Sequence, residues 1–201
     1  MSDRLGRAQL ARAAAHLRRG RLPALVLMTD DDRLSDPLPA VRALPRGSMV
    51  VVRARDAKRR DELARAILKL AHKRGLAVLI ASDPEMAAKL GAEGIHLPEA
   101  RAKEAAYWRA RFPTLMITAS AHSYRAPMHT HALPIDAIFL SPVFGTGSHP
   151  DRASLTPLRA NIIARAINKP VYALGGIDAR NATLLTPDSF SGIAAIGALA
   201  V

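Results

Sequence analysis

Cysteine is absent from the 201 residues, which removes disulfides, thiolate zinc sites and cysteine nucleophiles together. Aromatics are scarce at 4%, so no basic run is interleaved with the rings that stack on nucleic-acid bases. Long apolar runs are missing too, and none approaches the roughly 18 residues of a membrane helix. The Arg-rich start, Arg4 to Arg21, has no apolar signal segment and follows Asp3. The expectation is a cytoplasmic protein with no membrane partner. Acidic residues are few: 17 Asp+Glu stand against 29 Lys+Arg, 23 of them Arg, for a net charge of +12. An anionic partner would explain that excess, and so would an Arg- and Ala-rich genome. What the chain has in quantity is apolar mass, 49%, enough for one domain with a sizeable core.

Short apolar runs alternate with longer amphipathic stretches, the pattern of βα units on a parallel sheet. Eight strands are expected: Ala24–Thr29, Ser48–Arg53, Leu76–Ala81, Gly94–Leu97, Leu115–Ala119, Ile135–Leu140, Val171–Leu174 and Gly192–Ile196. Between them Lys58–Arg74 carries Leu63, Ile67, Leu70 and Ala71 at helical spacing, and Leu155, Leu158, Ile162 and Ala166 repeat the pattern. Arg101–Arg111 also reads as helix, whereas Pro37 and Pro39 limit Asp36–Leu44 to a short or irregular one. Eight strands in this length favour an α/β (β/α)8 TIM barrel over a doubly wound sheet. Residues 1–20 form an amphipathic extension, with Leu10, Ala14 and Leu17 on one face, and 21–201 the barrel domain. The sequence reaches Val201 soon after the last strand, so a truncated or missing eighth helix is expected. The extra helix or a second copy of the chain, as a homodimer, would then cover the seam.

In such a barrel chemistry sits at the C-terminal ends of the strands. That rule selects Arg53 and Arg55, Asp83, Glu99, Ser120, His122, the hydroxyl-rich run Ser141–His149 with Thr146 and Ser148, Gly175-Gly176 and Gly197. His122 is the acid–base candidate, because imidazole titrates near neutrality. Ser120 and Ser123 beside it could set its tautomer. His96, inside a strand, reads as packed. Arg53 and Arg55 suit phosphate or carboxylate, and their alternation in a strand would turn one to the mouth and one to solvent. Glycines after the seventh and eighth strands let backbone approach an anion. Asp30-Asp31-Asp32 could bind a cation or serve as a solvated cap.

In chain order, Thr29-Asp30, Arg53-Ala54-Arg55, Gly94-Ile95-His96-Leu97, Ser120-Ala121-His122-Ser123, Ser141-Pro142-Val143-Phe144 with Thr146, and Ala173-Leu174-Gly175-Gly176-Ile177 resemble the thiamine phosphate synthase family and its thiazole tautomerase branch. The resemblance runs from about residue 24 onward. It implies a (β/α)8 barrel binding a thiazole phosphate between Thr146, Ser148 and the Gly175-Gly176 and Gly197 loops. It also exposes departures. Where the synthase pattern has an Asn-Asp pair after the third strand and a metal-ligating Asp after the fourth, this sequence has Ala81-Ser82 and Arg101. Further departures are Val51 for a Gln, Arg55 for a Lys and His149 for a Lys. A cation prefers carboxylate oxygens, so no cofactor is expected. Mg2+ would bind only in a working synthase that recruits the adjacent Asp83 and Glu99. Tautomerisation needs one acid–base group, an anion pocket and no metal, so thiazole tautomerase-type proton transfer is the favoured expectation. The alternatives are a synthase joining a pyrimidine diphosphate to the thiazole phosphate, or a non-catalytic barrel binding a phosphorylated ligand. A basic nucleic-acid-binding barrel is disfavoured by the scarcity of aromatics.

Overall fold

The computed structural model describes residues 2–145 and 154–201. Eight parallel strands close on themselves in sequence order. They are β1 Leu25–Met28, β2 Met49–Val52, β3 Ala77–Ala81, β4 Gly94–Leu97, β5 Met116–Ala121, β6 Ala137–Leu140, β7 Val171–Leu174 and β8 Gly192–Ala195. Closure is made by β1 against β8, with Leu25 opposite Ile193 and Leu27 opposite Ala195. All residues of β1, β2, β4, β6 and β8 are buried, as expected for strands covered outside by helices and filled inside by their own side chains. The interior holds a column of rings: Tyr172 stacks on Phe139, which meets His96 edge to face at 4.8 Å.

The helices are α1 Ser2–Leu17, α2 Leu38–Ala43, α3 Ala57–Arg74, α4 Pro84–Leu90, α5 Ala105–Arg111, α6 Ala126–Thr130 and α7 Pro157–Ala166. Helix α3 shows why such segments form. Asp56 caps its N-terminus by accepting from the Arg59 amide, Gly75 ends it with φ 62°, and His72, Lys73 and Arg74 face the negative end of its dipole. Its most buried side chains are Ala64, Ile67 and Ala71. The expected helix Arg101–Arg111 is split, a 3-10 stretch Glu99–Glu104 preceding α5. Only 3-10 turns, Ala182–Leu184 and Gly197–Leu199, follow β7 and β8.

Helix α1 packs on β1, β8 and both of these turns. Leu10, Ala14 and Leu17 are buried there, and the Arg7 guanidinium donates to the Ala200 carbonyl at 2.8 Å. It therefore occupies the position between β8 and β1. Among the described residues no helix is long and apolar enough to cross a membrane.

Candidate active site

A cavity of about 400 Å³ opens among the C-terminal ends of the strands. Of the residues selected from sequence, Arg53, Ser120, His122, Gly175, Gly176 and Gly197 line it together with His96, Ser141 and Arg33. Arg55, Asp83 and Glu99 lie outside the lining. Thr146, Ser148 and His149 lie outside the described residues.

His122 follows β5 directly. Its Nδ1 lies 3.0 Å from both the carbonyl oxygen and the Oγ of Ser141, at the end of β6. A carbonyl only accepts, so in the neutral ring the proton sits on Nδ1 and Nε2 keeps its lone pair. Nε2 makes no hydrogen bond to a described residue. The Glu99 carboxylate accepts from the His122 amide at 3.2 Å and holds the backbone at this point. The tautomer is thus set neither by Ser120 nor by Ser123, which the sequence suggested. Ser120 Oγ bonds His96 Nε2 at 2.9 Å, and Ser123 Oγ accepts from the Arg125 amide. The partner comes from the neighbouring strand, which local sequence cannot reveal.

His96 is buried, with Nδ1 2.9 Å from Thr118 Oγ1. Its pKa is pushed down to about 3, first by burial and then by the neighbouring Arg53 guanidinium and His122 ring. It is a neutral hydrogen-bonding group rather than a second base.

The β1–β2 side of the mouth is a lattice of charge pairs. Buried Asp30 takes Arg53 and Arg33, Asp31 takes Arg59, and Asp32 takes Arg55. Burial alone would raise the Asp30 carboxyl, but the Arg33 hydrogen bonds and the charges of Arg53 and Arg33 hold it below the usual range. The acidic triplet is committed to guanidinium groups. Arg53 is oriented toward the cavity by Asp30, whereas the Arg55 side chain is 74% exposed and bound to Asp32 at the rim.

The two positions where the resemblance expects metal ligands do meet, but as a cation and a carbonyl. Arg101 Nη1 donates to the Ser82 carbonyl at 2.9 Å, and Glu104 grips the same guanidinium at 2.7 and 2.8 Å. Asp83 caps α4 through the Met86 amide and faces Arg60 at 3.4 Å. Among the described residues no three His, Asp or Glu side chains are grouped to hold a metal ion. The donor set does not fit magnesium: a divalent cation would meet a guanidinium where it needs a carboxylate.

The glycines divide by role. A Cβ on Gly176, whose φ is 64°, would lie 2.3 Å from the Gly145 carbonyl oxygen, and one on Gly175 would lie 2.8 Å from Pro142 Cα. These two let the β7 loop pack against the β6 loop, where the Phe144 amide donates to the Gly175 carbonyl. A Cβ on Gly197 would meet nothing within 4 Å, so that residue contributes free space.

Comparison with known proteins is consistent in direction. Residues 25–199 match the profile of the family described as thiamine monophosphate synthase. A thiamine-phosphate synthase of Chlorobium luteolum is 30% identical over 182 residues, covering 88% of this chain and 85% of that protein. One from Azorhizobium caulinodans is 27% identical over 183 residues, covering 88% and 86%. The structure of thiamine phosphate pyrophosphorylase from Pyrococcus furiosus superposes with a TM-score of 0.68 at 21% identity, covering 86% of this chain and 85% of that one.

Proposed function

The chain belongs to the thiamine monophosphate synthase family, and from that premise we propose that it binds a thiazole phosphate in the barrel mouth and catalyses a tautomerase-type proton transfer. Family membership supports a role in thiamin biosynthesis; the reaction itself is our reading. The observation that carries it is the pairing of His122 Nδ1 with the Ser141 carbonyl, which leaves a basic Nε2 on a residue lining the cavity.

In this mechanism Nε2 takes a proton from one carbon of the non-aromatic ring, and the resulting imidazolium returns it to another carbon. Bonds are conserved and the ring becomes aromatic. The Ser141 carbonyl, already accepting from Nδ1–H, stabilises the transient imidazolium. Gly197 leaves room for the phosphate, and Arg53 with Arg33 offers positive charge to an anionic substituent. The reading needs no metal, in keeping with Arg101 beside Ser82.

The names of the relatives favour a second reading, a synthase. It would require Asp83 and Glu99 to leave the amides of Met86 and His122 and become ligands. The deciding experiment incubates the purified protein with a phosphorylated thiazole carboxylate tautomer and follows aromatisation by ultraviolet absorbance, with and without EDTA. Turnover unaffected by EDTA is expected. In a parallel assay given thiazole phosphate and a pyrimidine diphosphate, magnesium-dependent formation of thiamin phosphate and pyrophosphate, without tautomerase turnover in the first, would replace this reading with the synthase.

A further inference from the structure

Facing strands β4 and β5 bring three polar side chains into one line inside the barrel mouth. His96 is opposite Thr118 in the strand register, and Ser120 lies two residues further along β5 on the same face. The proton on each can be assigned. Thr118 Oγ1 is 3.0 Å from the Ile95 carbonyl oxygen, a contact between two oxygens that is attractive only if the hydroxyl donates. Its single proton is then spent, so toward His96 Nδ1 at 2.9 Å it can only accept. The His96 proton therefore sits on Nδ1, and Nε2 presents a lone pair. Ser120 Oγ, 2.9 Å from Nε2, must donate to it. The order runs from Ser120 through His96 and Thr118 to the Ile95 carbonyl, with every proton pointing inward. His96 is also kept neutral across the pH range in which an ordinary imidazole titrates, because burial, and after it the neighbouring Arg53 and His122, oppose its protonation.

We propose that Ser120 is an obligate hydrogen-bond acceptor toward the cavity, a specificity-determining residue that selects ligands presenting an N–H or O–H at β5. An ordinary serine rotates its proton to suit either partner; this one cannot without breaking a buried chain. Each bond in the chain also polarises the next, which strengthens the lone pairs offered to the ligand. In a mouth that holds a heterocyclic phosphate, such a group distinguishes two rings by whether the atom facing β5 carries a hydrogen on nitrogen or oxygen. Only this last use, and the choice of probes below, rests on the phosphate-binding reading above.

Nitrogen-15 NMR of the uniformly labelled, full-length protein tests the proton order without any ligand. The His96 ring is expected to show a protonated Nδ1 and a bare Nε2, unchanged from pH 5 to 9. A proton on Nε2, or a titration within that range, overturns the proposal. The selecting role is tested with two ethyl phosphates that differ in one ring atom, a pyrrol-3-yl donor and a furan-3-yl acceptor. The wild type should bind the pyrrole about 5- to 10-fold more tightly, the worth of roughly one hydrogen bond. Ser120→Ala should remove the preference. Thr118→Val, which keeps the shape but cannot accept from Nδ1, should move the His96 proton to Nε2 and turn the preference toward the furan, while Thr118→Ser should behave as wild type. Equal binding of both probes by the wild type overturns the selecting role. If neither probe binds, the phosphate reading fails, and the ring nitrogens decide the proton order on their own.

Discussion

The two halves of the barrel mouth solve opposite problems. Around β1 to β4 nearly every polar group at the rim is charged and already paired: Arg53 with Asp30, Arg55 with Asp32, Arg59 with Asp31, Arg60 with Asp83, Arg101 with Glu104. Around β5 to β8 the described polar side chains that line the cavity carry hydroxyl and imidazole groups, and one of these atoms, His122 Nε2, bonds no described residue. A surplus of arginine therefore says little about where a ligand is recognised. At this rim the guanidinium groups face the protein's own carboxylates, while the proton transfer proposed above falls to the His122 imidazole on the other side. The same contrast bears on a divalent cation, because on the β1 to β4 side Asp30, Asp31, Asp32 and Asp83 each already face a guanidinium group.

The sharpest way to break this contrast is to remove its reactive member. His122→Ala should lower turnover by about 10²–10⁴-fold, the usual contribution of a general acid–base, while the melting temperature changes little. Full activity in the folded variant would end the assignment. Next in size is the pair of glycines. Gly176→Val should destabilise by roughly 1–3 kcal/mol or more, because its side chain must displace the Gly145 carbonyl and Phe144. Gly197→Ala should change stability by less than about 0.5 kcal/mol yet weaken binding of a phosphate ester. Denaturant unfolding and calorimetric titration separate the two, and a stability loss at Gly197 would contradict the free space drawn there.

Acid sensitivity should trace to His96. With a folded pKa near 3 against an ordinary 6.5, the unfolded chain gains the proton first as pH falls. Its contribution is complete above pH 6.5 and drains away toward pH 3, about 2 kcal/mol being lost by pH 5. His96→Gln should flatten that slope in unfolding curves taken from pH 7 to 5. An unchanged slope would mean that other groups dominate. The smallest effect belongs to the rim. Arg53→Ala should raise KM and leave Asp30 with Arg33 alone, whereas Arg55→Ala should alter stability by less than about 0.5 kcal/mol and leave KM unchanged. Equal consequences for the two arginines would erase the distinction between a guanidinium turned into the cavity and one at its edge.

Legibility from sequence followed the range of the interactions concerned. Strand positions emerged because a buried parallel strand is a short apolar run whatever its neighbours, and Val78–Ile80 or Ile138–Leu140 could hardly be anything else. Helices α4 and α6 stayed hidden, since seven and five residues are too few to show a period, although Asp83 before α4, Pro84 at its first position and Gly91 after it are capping signals. Gly176 is legible as a loop glycine lining the mouth, but its close approach to the adjacent β6 loop is not. The line through His96, Thr118 and Ser120 left a signal in the alternation Thr-x-Ser on β5. Reading it required knowing which residue of β4 stands opposite.

Helix α1 can be seen differently once its contacts are set in a circle. Going round the barrel, β8 is followed by α1 and then by β1, the ordinary alternation of strand and helix, and Arg7 already reaches the Ala200 carbonyl. Rather than a barrel short of one helix with an appendage added, the described fold is a ring of units in which the helix beside β8 comes from the other end of the sequence. Tethering the residues after Leu199 to the start of α1 by a short flexible linker, and reopening the chain in the exposed turn near Gly47 at the opposite end of the barrel, should produce a circularly permuted protein with the same cavity.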